Sequence, residues 1–218
     1  MPKKHTEELV RIPADGVTLD GDFVLPATAT GIIAFAHGSG SSRHSPRNTF
    51  VARQLQAAGL GTLLFDLLTR QEDVTYETRF DIDLLTRRLE AATRWLHQQP
   101  RTRSLTIGYF GASTGAAAAL CAAATFGKQI SAVVSRGGRP DLAMSALRQV
   151  ESPTLLIVGG EDHEVITLNR QAYAALRAEK QLVIVPRATH LFEEPGTLEE
   201  VARVAAQWFT QYLCAKAD

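Results

Sequence analysis

Ser113 stands at the centre of Gly111-Ala112-Ser113-Thr114-Gly115. Leu105–Phe110 before it is a short apolar run rich in β formers, and Thr114–Phe126 after it is almost all small helix formers. A strand, a very tight turn and a helix with a serine at the apex make the pattern of a nucleophile elbow. Such a turn forces the apex residue into a strained backbone conformation and lifts its hydroxyl clear of the sheet. Any Cβ at Gly111 or Gly115 is expected to collide with the neighbouring strand or helix. The backbone N–H of Thr114 lies at the helix start, where the dipole favours a developing negative charge.

A serine hydroxyl is a weak nucleophile near neutral pH. It needs a histidine to take its proton and a carboxylate to orient that histidine. Of the six histidines, His190 is the candidate base, since it follows the last apolar run and precedes Leu191-Phe192 before the final helix. His163 is the rival, but it adjoins Asp162, and adjacent loop side chains diverge. Asp162 is chosen over Glu161 as the acid, because it follows a strand and a Gly159-Gly160 turn. The chain order Ser113, Asp162, His190 is that of α/β-hydrolases, not of chymotrypsin or subtilisin.

His37-Gly38-Ser39-Gly40 follows an early buried run and is expected to supply a second oxyanion donor beside Thr114. That donor is assigned to the Ser39 N–H, with Gly40 as the alternative, and His37 is expected to brace the loop. Arg136 and Arg139 flank two glycines after the next strand, and Arg43 and Arg47 follow the oxyanion loop. Two readings of these arginines stay open: receptors for an anionic substrate group at the pocket mouth, or surface and loop-bracing residues. Leu191 and Phe192 form an apolar wall of the pocket or belong to the core.

The elements that must position these residues follow from the pattern. Glu8–Pro13 and Val17–Leu25 flank Asp15-Gly16, a hairpin signal. Apolar runs at Gly31–His37, Thr62–Phe65, Leu105–Phe110, Ile130–Ser135, Thr154–Val158 and Leu182–Val185 read as strands. Helices are expected from Ser45-Pro46 to Ala58, from Phe80 to about Gln98, over Thr114–Phe126, over Asp141–Gln149, through Asn169–Leu176, and after a Thr197/Glu200 capping box. Leu67–Arg79 reads as polar and irregular. Strands alternating with helices give a mostly parallel sheet covered on both faces. Ligands bind such a sheet beyond the carboxyl ends of its strands, where Gly38–Ser42, Ser113, Arg136–Arg139, Asp162 and His190 all fall.

The chain has 218 residues, 45% hydrophobic and 21% charged, which suits a globular domain with a large core. Lys+Arg and Asp+Glu are both 23, which argues against a nucleic-acid binder. Cys121 and Cys214 show no zinc-site spacing, and two reduced, packed thiols are expected. The polar start Met1-Pro2-Lys3-Lys4-His5 leads into no apolar run. The expectation is a cytoplasmic protein with no signal peptide, no membrane span, no metal and no cofactor. Nothing in the sequence specifies an oligomeric state.

The HGSGSS loop, GASTG, the GGED turn and the ATHLF segment resemble the α/β-hydrolase superfamily over essentially the whole chain. The length, without room for a cap domain, is similar to the dienelactone hydrolase-like and small carboxylesterase branch. The resemblance implies a single three-layer α/β domain over residues 1–218, with a mostly parallel central sheet of about eight strands. It implies a serine hydrolase of small carboxylic esters or lactones. Dienelactone hydrolases proper carry a cysteine nucleophile. Here the position is Ser113 and Cys121 is two helical turns away, which favours a serine esterase over a dienelactone substrate. The alternatives are an acyltransferase, thioesterase or peptidase with the same triad, and a non-catalytic binding protein on this fold.

Overall fold

The computed structural model describes residues 5–213. Cys214 lies outside the described residues. Asp15 (φ 45°) and Gly16 (φ 79°) both take left-handed backbone, the two-residue turn whose twist matches antiparallel strands. They join β1 (His5–Ala14) to β2 (Val17–Pro26), with Ala14 opposite Val17. β3 (Gly31–Ala36), β4 (Gly61–Phe65), β5 (Thr106–Ala112), β6 (Ile130–Arg136), β7 (Thr154–Gly159) and β8 (Lys180–Val185) complete one sheet. Its order is β1-β2-β4-β3-β5-β6-β7-β8. The β1–β2 and β2–β4 pairs are antiparallel, and all the others are parallel.

The crossovers are α1 (Pro46–Ala57), α2 (Ile82–Gln98), α3 (Thr114–Phe126) and α4 (His163–Ala175), and α5 (Thr197–Tyr212) closes the described chain. α1 and α5 cover one face, packing Val51, Leu55, Val201 and Phe209 on Phe35, Phe110 and Val134. α2, α3 and α4 cover the other, setting Leu85, Leu89, Ala117 and Ala172 on Ile32, Ile107, Tyr109 and Val133. β3, β4, β5 and β7 are buried at every position, which is why they read as unbroken apolar runs. The buried Tyr109 hydroxyl is satisfied by Thr93 Oγ1 of α2 at 2.6 Å. This is the three-layer α/β-hydrolase fold.

The structure corrects three local expectations. Residues 141–149 make no α-helix but two single 3-10 turns, Pro140–Ala143 and Leu147–Gln149. So short a segment cannot repay helix nucleation. Thr197 and Glu200 form no capping box. The cap position falls on Gly196 (φ 83°), one residue earlier. The Thr197 hydroxyl donates back to Glu194 O at 2.7 Å and Glu200 pairs with Arg203. α2 begins at Ile82 because Asp81 caps it, accepting from Leu84 N at 2.9 Å. Phe80 lies in a preceding 3-10 turn, Glu77–Phe80.

α3 meets the sheet at its first turn. A Cβ on Gly115 would lie 2.2 Å from Ala36 O and 2.4 Å from His37 O, and one on Gly111 would lie 2.4 Å from Ala116 Cα. No side chain fits either space. Gly115→Ala is therefore expected to cost about 3 kcal/mol or more. It should lower the urea midpoint at unchanged m-value, and a wild-type midpoint would overturn this packing argument.

Candidate active site

Ser113 sits between β5 and α3 with φ 51° and ψ −121°, a conformation uncommon for a side-chain-bearing residue. Its backbone is held on three sides. The Ser113 N–H donates to Arg136 O at 3.2 Å, and the Ser113 carbonyl accepts from Ala116 N and Arg139 N, both at 3.1 Å. A side chain on Gly38 would come within 3.0 Å of the Ser113 Cβ, so the loop after β3 lies directly against the apex. The strand, tight turn and helix expected around Ser113 are present, with the serine at the apex.

His190 and Asp162 meet. His190 Nδ1 lies 2.7 Å from Asp162 Oδ2. The Asp162 carboxylate is largely covered, while the His190 side chain is 40% exposed. Asp162 occupies the cap position of α4, yet its side chain caps nothing; the carboxylate turns to the imidazole instead. The loops that carry the pair are joined through backbone. Gly160 N donates to Val185 O at 2.8 Å and Glu161 N to Ala188 O at 3.0 Å. A Cβ on Gly159 would lie 2.3 Å from Ala188 O, which explains why a glycine opens the turn before the acid. His163, the rival base, is the first residue of α4.

The loop after β3 is pinned by His37. The buried imidazole contacts Gly38 O through Nδ1 at 3.0 Å and accepts the Leu67 N–H at Nε2, also 3.0 Å. A carbonyl only accepts, so Nδ1 carries the proton and Nε2 is the acceptor. His37 braces the loop. Burial holds its pKa below 6.5, against weaker opposing contributions from the Gly38 hydrogen bond and from Asp66 and Asp73. The Ser39 N–H is not free: it donates to Thr114 Oγ1 at 3.0 Å. Gly40 lies beneath Arg79, whose guanidinium is anchored on the Asp73 carbonyl at 2.8 and 2.6 Å. The 66–81 stretch thus folds back over the 38–40 loop.

The arginines separate. Arg139 is engaged by Asp141 in a two-point pair at 2.9 and 2.8 Å. Arg47 pairs with Glu193 at 3.1 Å, and Arg43 pairs with Asp22 and Asp66. Arg136 is buried, 7% exposed, with its guanidinium 5.8 Å from the Phe192 ring centroid. Burial, reinforced by Arg47, pushes its pKa down to about 10. Leu191 is 39% exposed and Phe192 is core, so only Leu191 can wall a cleft.

Glu194 is a site residue that sequence reasoning missed. Its carboxylate accepts from Thr189 N at 3.0 Å and Thr189 Oγ1 at 2.6 Å, closing the turn next to His190. These bonds, the hydroxyl's first, hold its pKa below the usual carboxylate range. A threonine with a glutamate five residues on was the available signal. A polar cleft of about 410 Å³ opens beside His37 and Ser41, lined also by Asp66, Leu68 and Asp73. The larger groove, about 510 Å³, lies between α2, α3 and the 145–149 segment, and neither Ser113 nor any histidine lines it. It holds Cys121, whose thiol burial pushes upward. Among the described residues no group of side chains is arranged to hold a metal, and no helix is long and apolar enough to cross a membrane.

The sheet, the tight turn at Ser113 and the loops that bring Asp162 to His190 together define an α/β-hydrolase-fold protein. More particularly, residues 23–213 match the dienelactone hydrolase family, and the chain belongs to it. A crystal structure of dienelactone hydrolase from Anabaena variabilis is 57% identical, with TM-score 0.94, over 96% of this chain and 99% of that one. Est1E from Butyrivibrio proteoclasticus shares the fold at 15% identity and TM-score 0.81, over 94% of this chain and 98% of its own. Two Mycobacterium tuberculosis proteins, provisionally named phosphoribosyl transferases, are 56% identical over 208 residues, 95% of this chain and 47% of theirs. The chain thus spans about half the length of these curated relatives.

The His37 geometry has a pH signature. Folding binds the neutral imidazole, so its contribution is complete above the unfolded value of 6.5 and is lost as pH falls below it. Between about pH 7 and about pH 5, the melting temperature of the wild type should fall more steeply than that of His37→Asn. Equal slopes would remove His37 from the pinning of this loop.

Proposed function

We propose that the chain is a serine-dependent carboxylic ester hydrolase working through an acyl-enzyme on Ser113. The observation that carries the reading is the 2.7 Å His190–Asp162 pair at the sheet edge where a positive-φ serine is presented. Ser113 Oγ attacks the ester carbonyl as His190 Nε2 takes its proton. The tetrahedral intermediate collapses, and the alcohol leaves with that proton. A water, deprotonated by His190, then attacks the acyl carbon and returns Ser113 Oγ–H with release of the acid. Asp162 fixes His190 with its proton on Nδ1, leaving Nε2 as the base.

The oxyanion is received first by the Thr114 N–H, a group at the start of α3 with no acceptor inside the helix. The second donor comes from the 38–40 loop. For the Ser39 N–H to serve, it exchanges Thr114 Oγ1 for the substrate oxyanion. No step calls for a metal or organic cofactor. The phosphoribosyl transfer in the relatives' name is attributed to proteins about twice as long. The side chains gathered here are those of acyl chemistry, and the substrate class we assign is small neutral esters or lactones.

Ser113→Ala is expected to lower turnover of such esters by about ten-thousandfold or more with the fold intact. Asp162→Asn should cost about as much, because it favours the wrong tautomer. A fluorophosphonate probe should add once, at Ser113, and not in His190→Ala, as read by peptide mapping. Undiminished turnover in Ser113→Ala would sink the assignment. Competing alcohols, thiols and amines would show by their products whether water is the true acceptor.

A further inference from the structure

We infer that Arg136 is a positioning residue, whose backbone holds the nucleophile while its guanidinium, laid on the Phe192 ring, holds the loop that carries the base. The inference rests on the triad proposed above. Arg136 is the last residue of β6. Its carbonyl accepts the Ser113 N–H at 3.2 Å. Its side chain runs towards α1, where Nη2 reaches Asn48 Oδ1 at only 3.4 Å and Nε has no partner.

Such an environment is costly. Buried cations are ordinarily paired with carboxylates. Arg136 makes no ion pair among the described residues, and its charged neighbour is Arg47, another cation. What faces the guanidinium is the Phe192 ring, 5.8 Å to the centroid, within cation–π reach.

Phe192 itself needs holding. It is buried with φ 56°, an outlier for an aromatic residue that persists only where its surroundings impose it. Its N–H donates to Thr189 O at 3.3 Å, so His190 lies inside the turn that Phe192 closes. Gly137, the next residue after Arg136, passes beside both: a Cβ built on it would lie 3.5 Å from His190 Cε1 and from Phe192 Cε2. The end of β6 therefore bonds the nucleophile's backbone and touches the anchor of the base's loop, and the chain just beyond it passes beside the base. A shift of Phe192 is a shift of His190 relative to Ser113.

The test compares Arg136→Met, Arg136→Lys, Phe192→Leu and the Arg136→Met/Phe192→Leu double variant on a neutral ester and a carboxylate-bearing ester. The His190 ring is followed in parallel by NMR titration. Arg136→Met should lower kcat on the order of a hundredfold on both esters at unchanged KM, as a displaced base would. Arg136→Lys should recover part, because an ammonium keeps the attraction to the ring without the planar stacking. Phe192→Leu should match Arg136→Met, and the double variant should be no worse than either. The His190 resonance should shift in Arg136→Met.

A rise in KM confined to the carboxylate ester would make Arg136 an anion receptor and overturn the inference. Additive losses in the double variant would overturn it too. Should circular dichroism show that Arg136→Met does not fold, Arg136→Lys and Phe192→Leu carry the same comparison. Should the wild type neither turn over esters nor take the phosphonate, the hydrolase reading fails. The His190 resonance then decides alone, and an unmoved resonance in the Arg136 variants overturns the positioning role.

Discussion

The backbone of Ser113 is the constraint on which the rest depends. A serine at φ 51° carries strain of about 1–3 kcal/mol and persists only if its surroundings over-determine it. Three strands do so. β5 leads into the turn, and β6 supplies the carbonyl of Arg136 that receives the Ser113 N–H. β3 and the residue after it press the Ala36 and His37 carbonyls against the bare face of Gly115. None of these can move alone, because β5 lies between β3 and β6 in one parallel ladder. The apolar core on both faces is thus the support of a single strained dihedral pair.

Asp162 and His190 are fixed by a second device, a backbone seam between the ends of β7 and β8. The seam brings Asp162 to His190 without relying on long side chains. Asp162 stands where a helix cap belongs and does not cap, so α4 loses a favourable contact typically worth about 1 kcal/mol. Local stability yields there to the orientation of an imidazole. Across the sheet edge, the buried His37 pins the loop after β3, and Arg79, anchored on Asp73, lies over it. Each wall of the site therefore has its own brace, and the braces differ in chemistry.

What was legible in the sequence was what local pattern encodes. The Asp15-Gly16 hairpin, the buried strands and the serine elbow each have short-range signatures, and the structure contains them. The pairing of Asp162 with His190 was readable because both follow strands whose carboxyl ends share an edge. The role of Arg136 was not, since a strand's last side chain can turn to the mouth or to the core, and only packing against α1 decides. The Ser39–Thr114 bond escaped for the same reason: a free amide in sequence terms is occupied in three dimensions. The false capping box shows a third limit, a one-residue error in where a helix begins.

The contacts that build the site join distant parts of the chain. Ser39 and Thr114 are 75 residues apart, Asn48 and Arg136 are 88 apart, and β3 cannot pair with β5 until the whole intervening crossover has been made. Contacts of this range form late and slowly, after local helices and the opening hairpin. Until they form, nothing holds Ser113 in its left-handed conformation and nothing brings Asp162 to His190. The geometry around Ser113 is therefore a property of the finished sheet and of no single segment.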